Sequence, residues 1–123
     1  MFYFVKTPWW LKKLYGGCTW QMPGKEKIIY LTFDDGPHPY ATPFVLDTLK
    51  MHNAKATFFC IGKTLLEHPC VYNRIISYVL SVGNHTFNHL YGCKTKDYIY
   101  MHTIAESTLH IVSVLFRLSY VSL

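Results

Sequence analysis

The most constraining feature of the sequence is an apolar run that stops abruptly at two acidic residues. The run is KIIYLTF at residues 27–33, and Asp-Asp-Gly-Pro follows at once at residues 34–37. The β-branched and aromatic residues predict a strand, and the Gly-Pro pair predicts a sharp turn. A strand with apolar side chains on both faces is typical of a parallel sheet that is covered on both sides. The run therefore favours an α/β fold.

Strand and helix signals alternate along the rest of the chain. We expect a helix that begins near Thr42, as its N-cap, and fades near residues 52–53. The further predicted elements are a strand at 56–61, a helix at 72–80, a short strand at 81–86, a helix at 97–114 and a fourth strand at 115–120. This order predicts βαβ units around a mainly parallel sheet. In such folds, functional side chains gather where the strands end.

Length and composition narrow the class of protein. The 123 residues suffice for one domain, and 50% hydrophobic against 15% charged residues argues against intrinsic disorder. The net charge of +5 comes from scattered lysines and arginines without a nucleic-acid-binding motif, so a nucleic-acid partner is not expected. No apolar run approaches the roughly 20 residues that a membrane-spanning helix requires.

The cysteines and the N-terminal segment bear on the cellular compartment. The four cysteines form no Cys-x-x-Cys pair, which disfavours a structural zinc knuckle and favours free thiols in a reducing, cytoplasmic setting. Residues 1–24 are predicted to form an N-terminal extension whose Trp9 and Trp10 pack on the domain at residues 25–123. A degenerate export signal in the extension would place the chain in the cell envelope instead, so the localisation stays open.

The first candidate site is the pair of adjacent carboxylates, Asp34 and Asp35. Two carboxylates beside an apolar strand are costly unless charged partners or a metal ion balance them. In a regular strand their side chains would point to opposite faces, but a bend before Gly-Pro would let both reach one cleft. The alternative is a turn in which one Asp caps the following backbone amides.

The second candidate site is a pair of histidines, His85 and His89. At this spacing both imidazoles would lie on one face of a helical turn, where they can bind one metal ion. Taken alone, the pair would be interpreted as surface histidines. Combined with Asp35 it offers one carboxylate and two imidazoles, the ligand types that zinc and related metals favour. Asp34 would then be free to act as a base.

The two motifs together resemble a known family. TFDDGP at residues 32–37, followed by HTFNH at residues 85–89, is similar to the motifs of the NodB-homology polysaccharide deacetylases, carbohydrate esterase family 4. The resemblance covers much of residues 31–90. It implies an irregular (β/α) barrel and a metal-dependent hydrolase that cleaves a non-peptide carbon–nitrogen bond. Such an enzyme removes acetyl groups from glycans such as chitin or peptidoglycan.

The resemblance also implies roles for individual residues. Asp34 is the implied catalytic base. Asp35, His85 and His89 are the implied ligands of a divalent metal ion, which would be zinc, with cobalt or manganese as alternatives. Thr86 would steady the loop between the two histidines.

A third family motif, Arg-x-Pro-Tyr, is matched only in part. Arg117 and Tyr120 match it, whereas Ser119 stands where the family has proline. The resemblance implies that Arg117 holds the base and that the backbone at Tyr120 helps to stabilise the oxyanion. The later family motifs are not found after Tyr120, so residues 25–123 are predicted to form the N-terminal half of the barrel, with mostly parallel strands. A partner or a second copy would cover the open sheet edge.

Three functional hypotheses follow. The first is the metal-dependent deacetylase itself, whose partner is an acetylated polysaccharide. The second is a truncated, inactive remnant that binds metal without turnover, which Ser119 and the missing later motifs favour. The third is a non-catalytic glycan-binding module that stacks sugars on Trp9, Trp10 and Trp20.

Overall fold

The computed structural model describes residues 7–22, 27–78 and 81–121, with side chains described as far as residue 114. Its elements are α1 (Trp9–Leu14), β1 (Leu31–Gly36), α2 (Ala41–Met51), β2 (Ala56–Cys60), α3 (Gly62–Glu67), α4 (Pro69–Ser77), β3 (Ser81–Asn84) and α5 (Asp97–Val121). A single 3-10 turn, Gly92–Lys94, precedes α5. The strands form one parallel sheet in the order β1-β2-β3. This arrangement confirms the predicted α/β class.

The hydrophobic core lies around β2, the central strand. Alternate residues of β2 are buried, and Phe58 and Cys60 are almost fully enclosed. The helices contribute Leu46, Leu49, Leu65, Tyr72, Ile75 and Ile111 to the same core. Full burial of a side chain of this size stabilises the fold by roughly 1.5–3 kcal/mol. Residues that precede β2 and residues that follow it in the sequence both pack against it, and this packing sets its position.

β1 is shorter and more exposed than predicted. The predicted strand starts at residue 27, whereas β1 begins at Leu31, and Ile28, Ile29 and Tyr30 are exposed. Pairing starts with Leu31 opposite Ala56, the first residue of β2. The four residues before Leu31 have no residue of β2 to pair with, which is why the strand does not extend over the whole apolar run.

The helices also depart from the prediction in their bounds and number. α2 begins one residue before Thr42, and α4 begins at Pro69, where a proline is well tolerated in the first helical turn. The predicted helix at 72–80 therefore starts three residues after the observed start of α4. Residues 79 and 80 lie outside the described residues. The short helix α3 was not predicted. The predicted strand at 81–86 is β3, which ends two residues earlier.

The predicted fourth strand at residues 115–120 is wrong, because α5 continues through it to Val121. Residues 97–121 contain neither glycine nor proline, so nothing in this stretch stops the helix. Ser119 matters here, since a proline at this position would remove a backbone donor and clash with the preceding turn. Arg117 and Tyr120 therefore lie on helical backbone, and their side chains lie outside the described ones.

The N-terminal helix α1 does not pack as predicted. Trp9 and Trp10 are 75% and 52% exposed, so the expectation that they pack on the domain is wrong. Six residues form too short a helix to be stable without support. The predicted domain boundary at residues 24 and 25 lies outside the described residues. Among the helices that the structure describes, none has the length and hydropathy needed to cross a membrane.

Close packing of α3 against α5 depends on Gly62. A Cβ atom added at this position would lie 2.5 Å from Cδ2 of Phe87 and 3.2 Å from Cα of Ser107. The Phe87 ring would have to move, and Ser107 Cα belongs to the backbone of α5, which cannot shift without the helix. The absence of a side chain at Gly62 therefore allows α3, α5 and the loop around Phe87 to meet.

We predict that Gly62→Ala lowers the free energy of unfolding by about 1–3 kcal/mol, the usual cost of overpacking a close contact. Chemical denaturation monitored by circular dichroism measures the change. Gly17→Ala is the matched control, because no atom lies within 4 Å of a Cβ added there. Equal stability of the two variants would contradict the packing role of Gly62.

The four cysteines should differ sharply in reactivity. Cys60 is fully buried, and burial raises the pKa of its thiol to about 12, because the thiolate is poorly solvated there. Cys18, Cys70 and Cys93 are exposed free thiols. We predict that N-ethylmaleimide adds to these three in the native chain and to Cys60 only after unfolding, as intact-mass spectrometry would show. Rapid modification of Cys60 in the native state would contradict this burial.

Candidate metal centre

The two acidic residues lie in an irregularity at the end of β1. Phe33 is opposite Phe58, and Gly36 is opposite Cys60, so three steps along β1 match two along β2. The extra residue falls within the Asp34-Asp35 pair, and Asp35 has a left-handed φ of 64°. A bulge of this kind re-aims side chains that a regular strand would send to opposite faces. The sequence predicted such a bend, and the structure shows that it lies inside the strand.

The two histidines follow β3 in a loop, residues 85–89, here called the histidine loop. The predicted helical turn is wrong, because this loop is not helical. Instead, Thr86 and His89 have φ values of 63° and 53°. These left-handed residues turn the chain so that the imidazoles of His85 and His89 lie close, with ring centroids 5.0 Å apart.

The structure brings Asp35, His85 and His89 together. Asp35 Oδ1 lies 3.2 Å from His85 Nε2 and 3.1 Å from His89 Nε2. One donor atom from each residue lies within 4.8 Å of the others. The cluster is open to solvent, since the side chains of Asp35 and His89 are 64% and 48% exposed.

The donor atoms of this cluster fit a divalent metal ion. A tetrahedral ion with bonds of about 2.0–2.2 Å holds its ligand atoms about 3.3–3.6 Å apart. The two distances from Asp35 Oδ1, 3.2 and 3.1 Å, are close to that value. Two imidazole nitrogens and one carboxylate oxygen suit zinc, and the exposed side of the cluster leaves room for water or substrate.

The start of α3 holds the loop that follows Asp35. The carbonyl of Gly36 accepts hydrogen bonds from Ile61 N, at 2.9 Å, and from Thr64 Oγ1, at 2.8 Å. These bonds fix the backbone one residue after the predicted metal ligand. Thr64 was not identified from the sequence, because its role depends on a helix that was not predicted.

The same turn of α3 holds the histidine loop. Gly62 N donates to Thr86 O, and Lys63 N donates to Phe87 O, both at 3.0 Å. The first amides of a helix have no partner within the helix, so they are free to bind other carbonyls. The first turn of α3 therefore fastens both loops of the cluster to one short element.

Three residues in the two loops that form the cluster store backbone strain. Asp35, Thr86 and His89 have positive φ values, which cost on the order of 1–3 kcal/mol for each non-glycine residue. Such strain persists only where surrounding contacts enforce it, and it is most common at functional sites. Asn53 also has a positive φ, but it follows the end of α2, where asparagine is well tolerated.

Asp34, the predicted base, precedes Asp35 at the same strand end. Its exposed carboxylate lines a cavity of about 270 Å³ together with Phe33, His38 and Val45. Most of the surface that lines this cavity is apolar. Asp34 is therefore accessible and adjacent in the chain to the predicted ligand.

Thr86 contributes to the loop through its backbone. Its side-chain Oγ1 is buried and has no hydrogen-bond partner among the described residues. Its amide donates to Oδ1 of Asn84 at 2.7 Å, and its carbonyl accepts from Gly62. Asn84 was not identified from the sequence, although its position directly before the first histidine is a usable signal.

The turn between Asp35 and α2 is capped by His38. The ring atom Nδ1 accepts hydrogen bonds from the amides of Tyr40 and Ala41, at 3.3 and 3.2 Å. Thr42 Oγ1 accepts in return from His38 N at 2.8 Å. Thr42 is thus inside the first turn of α2, so its predicted N-cap role is wrong; Tyr40 is the N-cap residue, and the sequence analysis missed the hydrogen bonds of His38.

Curated relatives of the chain are deacetylases. It is 46% identical over 82 residues to a peptidoglycan-N-acetylglucosamine deacetylase of Bacillus cereus. The aligned residues cover 67% of this chain and 38% of that protein. It is 49% identical over 64 residues to a chitooligosaccharide deacetylase of Azorhizobium caulinodans, with 52% and 30% covered. The chain thus spans about a third of the length of these relatives.

The fold is similar to that of a solved peptidoglycan deacetylase. The Bc1960 peptidoglycan N-acetylglucosamine deacetylase, in complex with 4-naphthalen-1-yl-N-oxidanyl-benzamide, matches with a TM-score of 0.73 and 36% identity. The match covers 75% of this chain and 43% of that one. The family model described as polysaccharide deacetylase matches residues 21–115, which include both ends of the Asp-His-His cluster. This match extends over most of the sequence, and the chain therefore belongs to the polysaccharide deacetylase family.

Proposed function

We propose that this chain binds a divalent metal ion, zinc by preference, and hydrolyses the acetamide group of N-acetylated glycans such as peptidoglycan or chitin. The observation that carries the proposal is the cluster of Asp35, His85 and His89 at the ends of two parallel strands. Cobalt or manganese would suit the same oxygen and nitrogen ligands.

The bound ion would supply Lewis-acid chemistry, lowering the pKa of water from about 15.7 toward about 7. The role of Asp35, His85 and His89 is to hold that ion at an accessible position. The three donors come from two loops that α3 fastens, so their spacing depends on α3.

Asp34 is the proposed base. Its carboxylate would accept a proton from the water that attacks the acetyl carbonyl carbon. A carbon–oxygen bond then forms, the carbon–nitrogen bond breaks, acetate leaves, and the sugar nitrogen takes up a proton to become an amine. Asp34 suits this role because it is exposed on a cavity and adjacent to Asp35.

The remaining implied roles stay proposals. Thr86 would steady the histidine loop, Arg117 would hold Asp34, and the backbone at Tyr120 would help to stabilise the oxyanion. Arg117 and Tyr120 lie on the last turns of α5, where a backbone amide donates to the carbonyl four residues earlier, so the role of Tyr120 requires this turn to open. A single oxyanion-hole donor is worth roughly 2.7–4 kcal/mol of the barrier. Their contribution would therefore be visible in the turnover rate.

The proposed substrate class also bears on localisation. The relatives named above are deacetylases of peptidoglycan and chitooligosaccharides. Peptidoglycan lies in the cell envelope, so a peptidoglycan substrate would place this chain there rather than in the cytoplasm.

A second candidate function is metal binding without turnover. The observation that favours it is the continuous helix α5, which carries Arg117 and Tyr120 on helical backbone where the prediction had a strand. If the base is not held, the metal cluster would remain intact while hydrolysis is lost.

The third hypothesis, a non-catalytic glycan-binding module, is supported by the exposure of Trp9, Trp10 and Trp20. Flat aromatic surfaces of this kind can stack on sugars. Binding of this type would not depend on the metal cluster.

Self-association is proposed for the open edge of the sheet. Within the described residues, β1 pairs only with β2, and exposed apolar residues precede it. An unpaired edge next to apolar residues is a template for pairing with another strand.

We predict that the chain, loaded with Zn²⁺ or Co²⁺, releases acetate from N-acetylglucosamine oligomers or acetylated peptidoglycan. Asp34→Asn should keep the metal and lower turnover by about 10²–10⁴-fold, the usual contribution of a general base. His85→Ala should lose both metal and turnover. Enzymatic acetate assays and metal analysis by mass spectrometry measure the two quantities.

His102→Ala is the matched control for the histidine substitution, because its side chain is 78% exposed and lies outside the cluster. Metal binding that disappears in His85→Ala, without acetate release by the unsubstituted chain, would support the second candidate function. Glycan binding that survives chelation, without acetate release, would support the third.

We predict that the chain forms concentration-dependent oligomers and that Ile29→Lys shifts it toward monomer, because a charge near the free edge opposes strand pairing. Sedimentation velocity measures the distribution. Met51→Lys is the control, since Met51 is also an exposed apolar residue but lies on α2. A chain that stays monomeric at all concentrations would contradict the proposal.

A further inference from the structure

The side chain of Asn84 joins the histidine loop to α5. Asn84 is the last residue of β3, and it lies opposite Cys60 of β2. Its carboxamide makes three hydrogen bonds, to Thr86 N at 2.7 Å, to Ile104 O at 2.8 Å and to Thr108 Oγ1 at 2.7 Å. These bonds satisfy both amide hydrogens and one lone pair of the oxygen.

The bond to Thr86 sets the direction of the chain at the first metal-ligand candidate. Oδ1 of Asn84 accepts from the amide two residues later, which is the pattern of an Asx turn. The turn brackets His85, whose own amide donates to Cys60 O at 3.0 Å. It also holds Thr86 at a φ of 63°, a conformation that a β-branched residue rarely adopts.

The bonds to α5 fix the other end of the carboxamide. Nδ2 donates to the carbonyl of Ile104 and to the hydroxyl of Thr108, and that hydroxyl donates in turn to Ile104 O at 2.9 Å. The one donor (Thr86 N) and the two acceptors (Ile104 O and Thr108 Oγ1) that surround Asn84 match an amide in only one orientation. An alanine would lose all three bonds, and an aspartate would place a second acceptor against the acceptors of α5.

Asn84 thus provides a hydrogen-bonded link between α5 and the backbone of the histidine loop. Asn84 lines a cavity of about 210 Å³ with His85, His89 and Tyr100, yet its recorded hydrogen bonds go to backbone and to Thr108 rather than to the imidazoles. We infer that Asn84 is a positioning residue, which sets the metal affinity of the cluster by clamping the backbone around His85 to α5. The inference rests on the metal site of the proposed function but not on its turnover.

The test compares Asn84→Ala with the unsubstituted full chain. We expect Zn²⁺ to bind about 10- to 100-fold more weakly, the usual effect of removing a group that orients a metal ligand. Competition with a chromophoric chelator measures the affinity. The visible absorption bands of bound Co²⁺ should shift as well, because the imidazoles would approach the ion differently. In the metal-free chain, the Thr86 amide should exchange with deuterium faster.

Two further variants separate positioning from general damage. Thr108→Val removes one of the three bonds at the far end of the carboxamide, and a loss of Zn²⁺ affinity under about tenfold is expected. It keeps the test decisive if Asn84→Ala does not fold. Asn88→Ala is the matched control, since Asn88 is an exposed residue of the same type in the same loop. Its metal affinity and its Co²⁺ spectrum should be unchanged.

Several results would overturn the inference. Unchanged Zn²⁺ affinity in a folded Asn84→Ala chain would do so, and so would equal losses in Asn84→Ala and Asn88→Ala. An unsubstituted chain that binds neither Zn²⁺ nor Co²⁺ would overturn it together with the metal site. If Asn84→Ala weakens metal binding in a chain that releases no acetate, the positioning role is supported and the proposed hydrolysis is not.

Discussion

Four hydrogen bonds at the start of α3 fix the relative positions of the two loops that carry the Asp-His-His cluster. Ile61 N and Thr64 Oγ1 bind the carbonyl of Gly36, and the next two amides bind the carbonyls of Thr86 and Phe87. The loops arise from β1 and β3, which are not neighbours in the sheet. A helix that follows the strand between them can contact both, because β2 lies in the middle. The geometry of the Asp-His-His cluster thus depends on a six-residue helix that carries none of its three residues.

This arrangement also accounts for the strain at the site. Each left-handed residue costs on the order of 1–3 kcal/mol, whereas a single hydrogen bond contributes roughly 0.5–1.5 kcal/mol. The bonds from α3 and those of Asn84 are together of the same size as the cost at Asp35, Thr86 and His89. The strained conformations persist because several contacts act on each short loop. Burial of β2 and its helices provides the remaining stability.

The predicted elements were most accurate where the residues of a short segment favour only one type of secondary structure. The strand that ends in Asp-Asp-Gly-Pro has a clear signal at its carboxyl end, the nearly all-apolar β2 is ended by a glycine, and both strands exist. The predicted strand at 115–120 failed because its apolar residues suit a helix as well as a strand. Because Ser119 stands where the family motif has proline, no residue of that stretch stops α5. The short α3 was missed because six residues carry too little periodicity to be recognised.

The sequence by itself determined which side chains form the candidate site. A carboxylate at the end of one strand and two histidines after another could be identified from motif and spacing, because those features are local. The tertiary structure decided how they meet. Asp35 approaches both imidazoles through a bulge, and the histidines come together through two left-handed residues rather than a helical turn. The Asx turn at Asn84 is local, but the other contacts that enforce these conformations come from α3 and α5, which lie far away in the chain, so the motif and its spacing did not reveal them.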